Sequence, residues 1–396
     1  MVARHRTRSS IMSTGNAHWL GVGGIADVNR DLILSESCDD IVGNFGGTNP
    51  FTLTRSPSAA FIRNGQNKPS NGFAWRFTNF PCLSGGGPYS SPGNPEPTDN
   101  QMLSRGLANS NPNKPVVDLP LFVFELRDIP DVIREWGAGI LRTRNRWKSP
   151  NGTDPLRDIP MAAAKRHLEY QFGIAPVISD VAKMLQFQAS MDKRIHTLKD
   201  LSKGSTTRHA TVYSDSVQEP SWSPSTFLTG LYQETSKVRW KMTTDRHYWV
   251  STRWNTTMAL PESDIEQKIL ANKLIFGMHG LSVETVWNSL PWSWLVDWFS
   301  NIGDLAASTR NHIPVTHSGS CIMKHTRKYV SAWEWTVEPS GGKQTLYPVN
   351  TVAETKIRYA APLVVYPEFY LPLLSGGQLS ILSALAVLKE SGRRLK

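Results

Sequence analysis

The chain has 396 residues and a formal net charge of +10 at pH 7, with 39% hydrophobic and 19% charged residues. This length is enough for about two or three structural units, and the hydrophobic fraction excludes a disordered basic tail. A folded protein with such a basic excess usually meets phosphates, an anionic surface or an acidic partner, although a general contribution to solubility is the alternative.

Cysteine and histidine usage does not indicate a metal centre or a disulfide framework. Cys38, Cys82 and Cys321 are far apart and odd in number, and neither CxxC nor HExxH occurs. The basic start MVARHRTRSS is not followed by an apolar segment, so a signal peptide is not expected. The apolar run LSILSALAVL is too short to cross a bilayer. We therefore expect no metal, no cofactor, synthesis in a cytoplasm and no membrane insertion.

Residues 1–125 are predicted to form a β-rich region with long loops. They are rich in Gly, Ser, Asn, Pro and Thr, with short apolar runs such as FAWRF and LFVFEL, which is typical of short strands. The segment from Leu83 to Pro115 begins LSGGGPYSSPGNPEPTDN and is predicted to be an exposed flexible loop.

Residues 126–204 are predicted to be helical. Pro130 and Pro160 each stand where a first helical turn could begin. Apolar residues recur at helical spacing after Pro160 and again after Pro176. Pro176 should kink or divide this arm, and Gly204 fits its end.

The remaining chain alternates between strands and helices. Within a region of β hairpins at 205–260, the period-two run VRWKM, the turn-like TTDR and HYWVSTRW predict an antiparallel hairpin. Helices are expected in 261–310, strands in 311–372 and a C-terminal amphipathic helix in 373–396. The sequence thus predicts an elongated α+β fold, with a helical bundle end and an antiparallel β-sheet end that are built from discontinuous segments.

The most informative segment is LPWSWLVDWFSNIGDL, residues 290–305. On a single helix most of its side chains are apolar, and only Ser293, Asp297, Ser300 and Asp304 form a polar stripe. A helix that is apolar almost all round is usually buried in a bundle. Because a buried carboxylate needs a partner, Asp297 is predicted to pair with an Arg, a Trp N–H or a backbone donor.

This segment resembles a motif of the maturation (A) proteins of the levivirus family, the single-stranded RNA bacteriophages. Members carry Pro, an aromatic residue, Ser, a second aromatic residue, an apolar residue and Val-Asp-Trp, followed by an apolar turn and Gly-Asp or Gly-Asn. A second segment, LEYQFGIAPVISD at Leu168–Asp180, is similar to the family's helix segment of the form LE-x-QFG-x-x-P-x-x-SD. The matching residues of the first motif are Pro291, Trp292, Ser293, Trp294, Asp297, Trp298, Gly303 and Asp304.

The resemblance implies a virion protein without catalytic activity. Such a protein occurs as a monomer, once per virion, in the position of a coat-protein dimer. Its helical end grips stem-loops of the viral genomic RNA, and its sheet end binds the side of a host pilus, so that protein and RNA enter the cell together. Two alternatives stay open, namely an RNA-packaging protein without a receptor role and an additional effect on host-cell lysis.

The distribution of charge agrees with an RNA contact at the helical end. Between Arg134 and Lys203, 13 Lys and Arg residues stand against 7 Asp and Glu residues, a net charge of +6. Folded RNA is bound largely through its shape, phosphates and loop bases, for which scattered Arg and Lys suffice, and a solvated helix face is the alternative. The predicted RNA-binding residues are Arg142, Arg144, Arg146, Lys148, Lys165, Arg166, Lys193, Arg194, Lys389, Arg393, Arg394 and Lys396.

Receptor binding is predicted to involve loops of the sheet end, because functional residues concentrate on loops that a rigid scaffold holds. The segment Leu83–Pro115 offers Tyr89 and Arg105, and SGGK, interpreted as a hairpin turn, offers Lys343. Tolerated surface loops are the alternative. Tryptophans of the predicted strands usually pack in a core but are further candidates for a receptor contact: Trp240, Trp249, Trp254, Trp333 and Trp335.

Enzyme motifs are weak or incomplete. GVGGIA at Gly21–Ala26 formally fits a dinucleotide-binding pattern, but no convincing strand precedes it. SGGK lacks the leading Gly and the trailing Ser or Thr of a phosphate-binding loop, and no GxSxG occurs. Asp297 and Asp304 lie two helical turns apart, which does not suit a catalytic pair. We therefore predict that the protein is not an enzyme.

Overall fold

The computed structural model describes residues 2–21, 24–43, 49–67, 74–82, 95–116, 167–168, 171, 187–223, 226–229, 232–256, 259, 261, 263–277, 283–290, 293–311, 313–337, 342–362, 364–371 and 374–393. The helices predicted after Pro130 and Pro160 lie for the most part outside the described residues, and so does the first part of the helix predicted after Pro176.

Strands and helices both occur in the described residues, in agreement with an α+β class. The strands are β1 (Val2–Gly21), β2 (Gly24–Val42), β3 (Phe51–Pro57), β4 (Phe61–Asn67), β5 (Ala74–Cys82), β6 (Ser205–Ser223), β7 (Thr226–Thr229), β8 (Tyr232–Thr256), β9 (Val315–Val337), β10 (Gly342–Pro348) and β11 (Ala353–Ala360). The helices are α1 (Asp99–Ser110), α2 (Phe187–Ser202), α3 (Asp264–Ile275), α4 (Val283–Ser289), α5 (Ser293–Asp297), α6 (Ile302–Ser308) and α7 (Gly376–Arg393).

The strands form one large sheet in the order β10-β4-β5-β1-β2-β3-β11-β9-β8-β6, with β7 paired to β8. The pairs β1–β2, β2–β3, β3–β11, β11–β9 and β10–β4 are antiparallel. β1 and β2 have 20 and 19 residues, so they are longer than the short strands predicted for this region. Since Gly21 pairs with Gly24, GVGGIA connects two antiparallel strands and is not the strand-to-helix turn of a dinucleotide fold.

The chain divides into two compact units, each assembled from separate stretches of sequence. Unit 1 comprises residues 1–106, 209–252 and 319–363, and Phe61, Val250 and Ile322 are fully buried there. Unit 2 comprises residues 107–208, 253–318 and 364–396. One core cluster of unit 2 consists of Met191, Leu198, Ala271, Leu274, Ile275 and Ile313.

Strand β8 shows that the hairpin predicted around TTDR is wrong. Tyr232–Thr256 is one continuous strand, in which Thr243, Thr244 and Arg246 are buried. The guanidinium of Arg246 donates to both carboxylate oxygens of Asp215 on β6, at 2.8 and 2.5 Å. A polar run predicts a turn because water usually satisfies its side chains. Here an ion pair to the neighbouring strand satisfies the arginine instead.

Helix α1 shows that the exposed loop predicted for Leu83–Pro115 is wrong for residues 99–110. Met102 and Leu103 are almost fully buried. The helix begins with a capping box, since Thr98 Oγ1 accepts from the Gln101 N–H and Gln101 Oε1 accepts from the Thr98 N–H, both at 3.2 Å. A Cβ on Gly106 would lie 2.5 Å from Val250 Cβ, so the glycine allows the helix to approach the sheet closely.

Helices are also present in the two later regions where the sequence predicts them. The region 261–310 contains helices α3 to α6, and α7 is the predicted C-terminal helix. A capping box starts α7, because Ser375 Oγ accepts from the Gln378 N–H at 3.3 Å and Gln378 Oε1 accepts from the Ser375 N–H at 2.8 Å. Helix α2 ends at Ser202, and Gly204 has a φ of +133°, which favours glycine at this stop.

Candidate functional site

The carboxylate of Asp297 lies at the centre of the tryptophan-rich segment, residues 290–305. Both of its oxygens accept from the indole N–H of Trp287 at 3.1 Å, and Oδ1 also accepts from the Gly303 N–H at 2.9 Å. Gly303 belongs to the first turn of α6, where backbone N–H groups favour a negative charge. Of the partners predicted for Asp297, namely an Arg, a Trp N–H or a backbone donor, the last two are both present.

Gly303 leaves room for this carboxylate. A Cβ at position 303 would lie 2.5 Å from Asp297 Oδ2 and 2.7 Å from Oδ1. Any other residue would force the carboxylate or the start of α6 to move. The spacing of Asp297 and Gly303 in the motif thus has a direct steric reason.

The tryptophan-rich segment does not form the single helix predicted from its apolar pattern. It contains two short helices, α5 and α6, separated by residues 298–301. The break is held by Asn301, whose backbone N–H donates to Glu368 O at 3.2 Å and whose side-chain Oδ1 accepts from the Glu368 N–H at 2.7 Å. Its amide nitrogen donates to Tyr366 O at 3.0 Å. These bonds to another stretch of backbone replace those of a continuous helix.

Burial of the segment is also less complete than predicted. Trp294 and Trp298 are half-buried and pack edge to face, with ring centroids 5.0 Å apart. Val296 is 37% exposed, whereas Ser293 and Ser300 are buried. Asp304 is half-buried in the first turn of α6. Pro291 and Trp292 lie outside the described residues.

A buried polar network joins distant stretches of unit 2. The guanidinium of Arg310 donates through Nε and Nη2 to both oxygens of Glu284, and the side chain of Arg310 is 5% exposed. The fully buried Asn113 donates to Ile313 O at 3.0 Å and accepts from the Ile313 N–H at 2.7 Å, as a neighbouring strand would. Asn111 donates to Arg310 O at 3.0 Å. Sequence reasoning missed this network because an Asn-Pro-Asn run normally indicates a solvated turn.

A second polar network lies in unit 1 and centres on Glu96. One oxygen of Glu96 accepts from the Tyr248 hydroxyl at 2.7 Å, and the other accepts from Lys324 Nζ at 3.3 Å. Burial tends to raise the pKa of Glu96, but the bonds from Tyr248 and Lys324 outweigh it, so the pKa lies below its usual value. Burial and the bond to Glu96 raise the pKa of Tyr248 to about 12.

Of the predicted RNA-binding residues, the structure describes the side chains of two, Lys193 and Arg194 on α2. Lys193 is exposed, whereas Arg194 is 8% exposed and donates to Pro112 O and to Lys114 O, the latter at 2.5 Å. Burial, with a contribution from Arg208, lowers the pKa of Arg194 to about 10. We therefore assign Arg194 a structural role. Lys389 and Arg393 belong to α7 with their backbone alone described, and the others lie outside the described residues: Arg142, Arg144, Arg146, Lys148, Lys165, Arg166, Arg394 and Lys396.

Of the residues predicted to bind a receptor, Arg105 and Lys343 are described, and each belongs to a helix or strand. Arg105 is half-buried on α1, and its guanidinium donates to Val212 O at 3.0 Å. Lys343 belongs to β10, which pairs with β4, whereas β9 lies between β11 and β8, so the strands on either side of SGGK are not paired as the predicted hairpin requires. Tyr89 lies outside the described residues.

Among the strand tryptophans, Trp254 is a core residue, as is usual for such positions. It is 3% exposed, and its indole N–H donates to Ser110 Oγ at 3.2 Å. Trp249 is half-buried and packs against the ring of His247, with centroids 5.3 Å apart. Trp240, Trp333 and Trp335 have only their backbone described.

Within the described ranges, His, Cys, Asp and Glu do not form a group of three or more that could hold a metal ion. The described helices include none that is long and apolar enough to cross a membrane. The three cysteines are free thiols, with Cys82 and Cys321 buried.

Comparison with known proteins gives a family match. A model of the family described as phage maturation protein matches residues 126–325, just over half of the 396-residue chain. The matched stretch contains the tryptophan-rich segment, the segment Leu168–Asp180 and the basic region from Arg134 to Lys203. A search of curated proteins found no significant match.

Proposed function

The chain belongs to the phage maturation protein family, as its tryptophan-rich segment predicted, and we propose that it binds the genomic RNA, takes the place of a coat-protein dimer and attaches the particle to a host pilus. The family itself gives a virion maturation role. The three finer activities are what we add to it, with the protein acting as a single copy and without catalysis.

One observation carries the RNA part of this proposal. The family match includes the stretch from Arg134 to Lys203, which holds a net charge of +6 out of the chain's +10. Lys and Arg that neutralise phosphates release condensed counterions, which makes RNA affinity strongly dependent on salt. The densest run, LRTRNRWK, contains Arg142, Arg144, Arg146 and Lys148 beside Trp147, and we propose it as the centre of the RNA contact.

The test is to replace these four cations by Gln and to measure binding of the genomic RNA at several salt concentrations. A plot of log affinity against log salt has a negative slope, and loss of four phosphate contacts should make this slope shallower by about 3. The matched control exchanges each Arg for Lys and Lys148 for Arg, which preserves the charge and should preserve the slope. An unchanged slope in the Gln variant would place the RNA contact elsewhere.

Particles carrying the same variants separate RNA binding from attachment. We expect the Gln variant to package less genomic RNA while its particles still adsorb to pili. Loss of adsorption with normal RNA content would contradict this division of roles.

A further inference from the structure

The strand registers of unit 1 place a charged surface on one face of five neighbouring strands, β1, β2, β3, β11 and β9. Residues that pair directly across antiparallel strands project to the same face of the sheet. One row runs Arg8, Glu36, Arg55, Glu354 and Arg327, and thus alternates in charge across all five strands. We name the surface formed by this row and the next two rows the ionic face.

The next two rows of the ionic face lie alongside. They consist of Arg6, Cys38, Leu53, Lys356 and His325, and of Arg4, Asp40, Phe51, Arg358 and Met323. The three rows together contain seven Lys and Arg residues and three carboxylates, a net charge of +4 with His325 neutral.

Carboxylates of the ionic face are less exposed to solvent than the cations that they hold in place. Asp40 accepts from Arg4 at 2.7 Å and from Arg6 at 2.9 Å, and its side chain is 16% exposed against 55% for Arg6. Glu354 binds Lys356 at 3.1 Å, with exposed fractions of 18% and 42%. Each of these carboxylates thus anchors a cation that still reaches solvent, which reduces the conformational entropy lost when a partner binds.

We propose that the ionic face is the surface that contacts an acidic protein surface repeated along the host filament. This inference rests on the proposed attachment function and names the chemistry of its partner. A fixed array of arginines steers an acidic partner and selects it by charge complementarity. Arginine is also enriched at the centres of protein interfaces.

Two features of the ionic face favour a protein over RNA as the partner. Asp40, Glu36 and Glu354 stand among the cations, and such a mixture of signs complements an acidic protein surface with interspersed lysines better than the uniformly anionic backbone of RNA. Half-buried apolar side chains, Phe51 and Leu53, lie on the central strand between the charged ones. An apolar centre with a polar rim is the usual anatomy of a protein interface.

The test neutralises four cations whose loss leaves Asp40 and Glu354 paired. Particles carry Arg6→Gln, Arg8→Gln, Lys356→Gln and Arg327→Gln, because Asp40 keeps Arg4 and Glu354 keeps His325. The matched control carries R6K, R8K, K356R and R327K. Adsorption to purified pili from a permissive strain is measured together with the number of genomes per particle.

We expect the neutral variant to adsorb on the order of tenfold less than wild type, the charge-preserving control to adsorb normally, and both to package normal amounts of RNA. Normal adsorption of the neutral variant would overturn the inference, and so would loss of packaged RNA with adsorption intact, which would identify an RNA surface. If the neutral variant is not incorporated into particles, the pair R8Q and R327Q at the two ends of the first row is measured instead, with the same outcomes.

Particles that lack the protein provide the remaining comparison. If they adsorb as well as wild type, the proposed attachment function fails. If only wild-type and neutral-variant particles adsorb, the attachment function stands and the ionic face alone is rejected.

Discussion

Replacing Gly303 with Ala tests whether the glycine of the motif is needed for space. Its added methyl group would lie 2.5 Å from Asp297 Oδ2, so the carboxylate or the start of α6 must move, and we expect the 2.9 Å bond from the Gly303 N–H to be lost. Hydrogen bonds to charged groups contribute about 1.5–3 kcal/mol. Ala is favoured over Gly within helices by about 1 kcal/mol. We therefore expect a net loss of about 0.5–2 kcal/mol in the free energy of unfolding.

This loss of stability should disappear or reverse when the carboxylate is absent. Asp297→Ala alone should cost about 2–4 kcal/mol, because it removes charge-assisted bonds to Trp287 and Gly303. In that background Gly303→Ala has no carboxylate to displace, so it should be neutral or stabilise by up to about 1 kcal/mol. The coupling between the two substitutions should then be about 2 kcal/mol, within the range for residues in contact.

Denaturant unfolding of the wild type, both single variants and the double variant measures all four corners of this cycle. The change in intrinsic tryptophan fluorescence follows the transition, and far-UV circular dichroism is the second probe that checks two-state behaviour. If Gly303→Ala costs the same with and without Asp297, contact with the carboxylate is not the reason for the glycine.

Further expectations concern buried polar groups and thiols. Arg310→Ala should destabilise by about 3 kcal/mol, since it leaves the half-buried Glu284 without its cation, and adding Glu284→Gln should recover part of the loss in the same unfolding assay. The pKa of Glu96 is lowered in the folded state, so its contribution to stability should be complete above pH 4.5 and lost as the pH falls further; Glu96→Gln should flatten acid-unfolding curves there. Burial raises the pKa of Cys82 to about 12, so we expect alkylation at pH 8 to modify it only after denaturant is added. Asn113→Ala should lower stability measurably, whereas alanine at the exposed Lys199 should not.

Some local signals in the sequence correspond to elements of the structure. Gly204 ends α2, and the apolar periodicity before the C-terminus corresponds to α7. These features depend on residues close together in the chain. The capping box Thr98–Gln101 was equally local, and it would have revealed α1 within a segment whose Gly, Pro and Ser content suggested a loop.

Features that depend on distant partners could not be predicted. The run TTDR looks like a turn until Asp215, on another strand, provides a partner for Arg246. The sequence predicts that Arg194 binds RNA, but in the folded protein its guanidinium donates to the carbonyls of Pro112 and Lys114. In each case the composition of the segment suggests an exposed side chain, but residues far away in the sequence determine its exposure. The ionic face could not be predicted for the same reason, since it exists only through the pairing of five strands.

The pairing of β3 with β11 and of β4 with β10 determines how early the sheet can be completed during synthesis. These N-terminal strands meet partners that follow roughly 300 residues later, which a ribosome adding about 5–20 residues per second reaches after about 15–60 seconds. Until then β3 and β4 present open edges, which favour pairing with other chains. Completion of the sheet is therefore a late event. Fragments that end before β10 should depend on chaperones or aggregate, even if their first strands pair correctly.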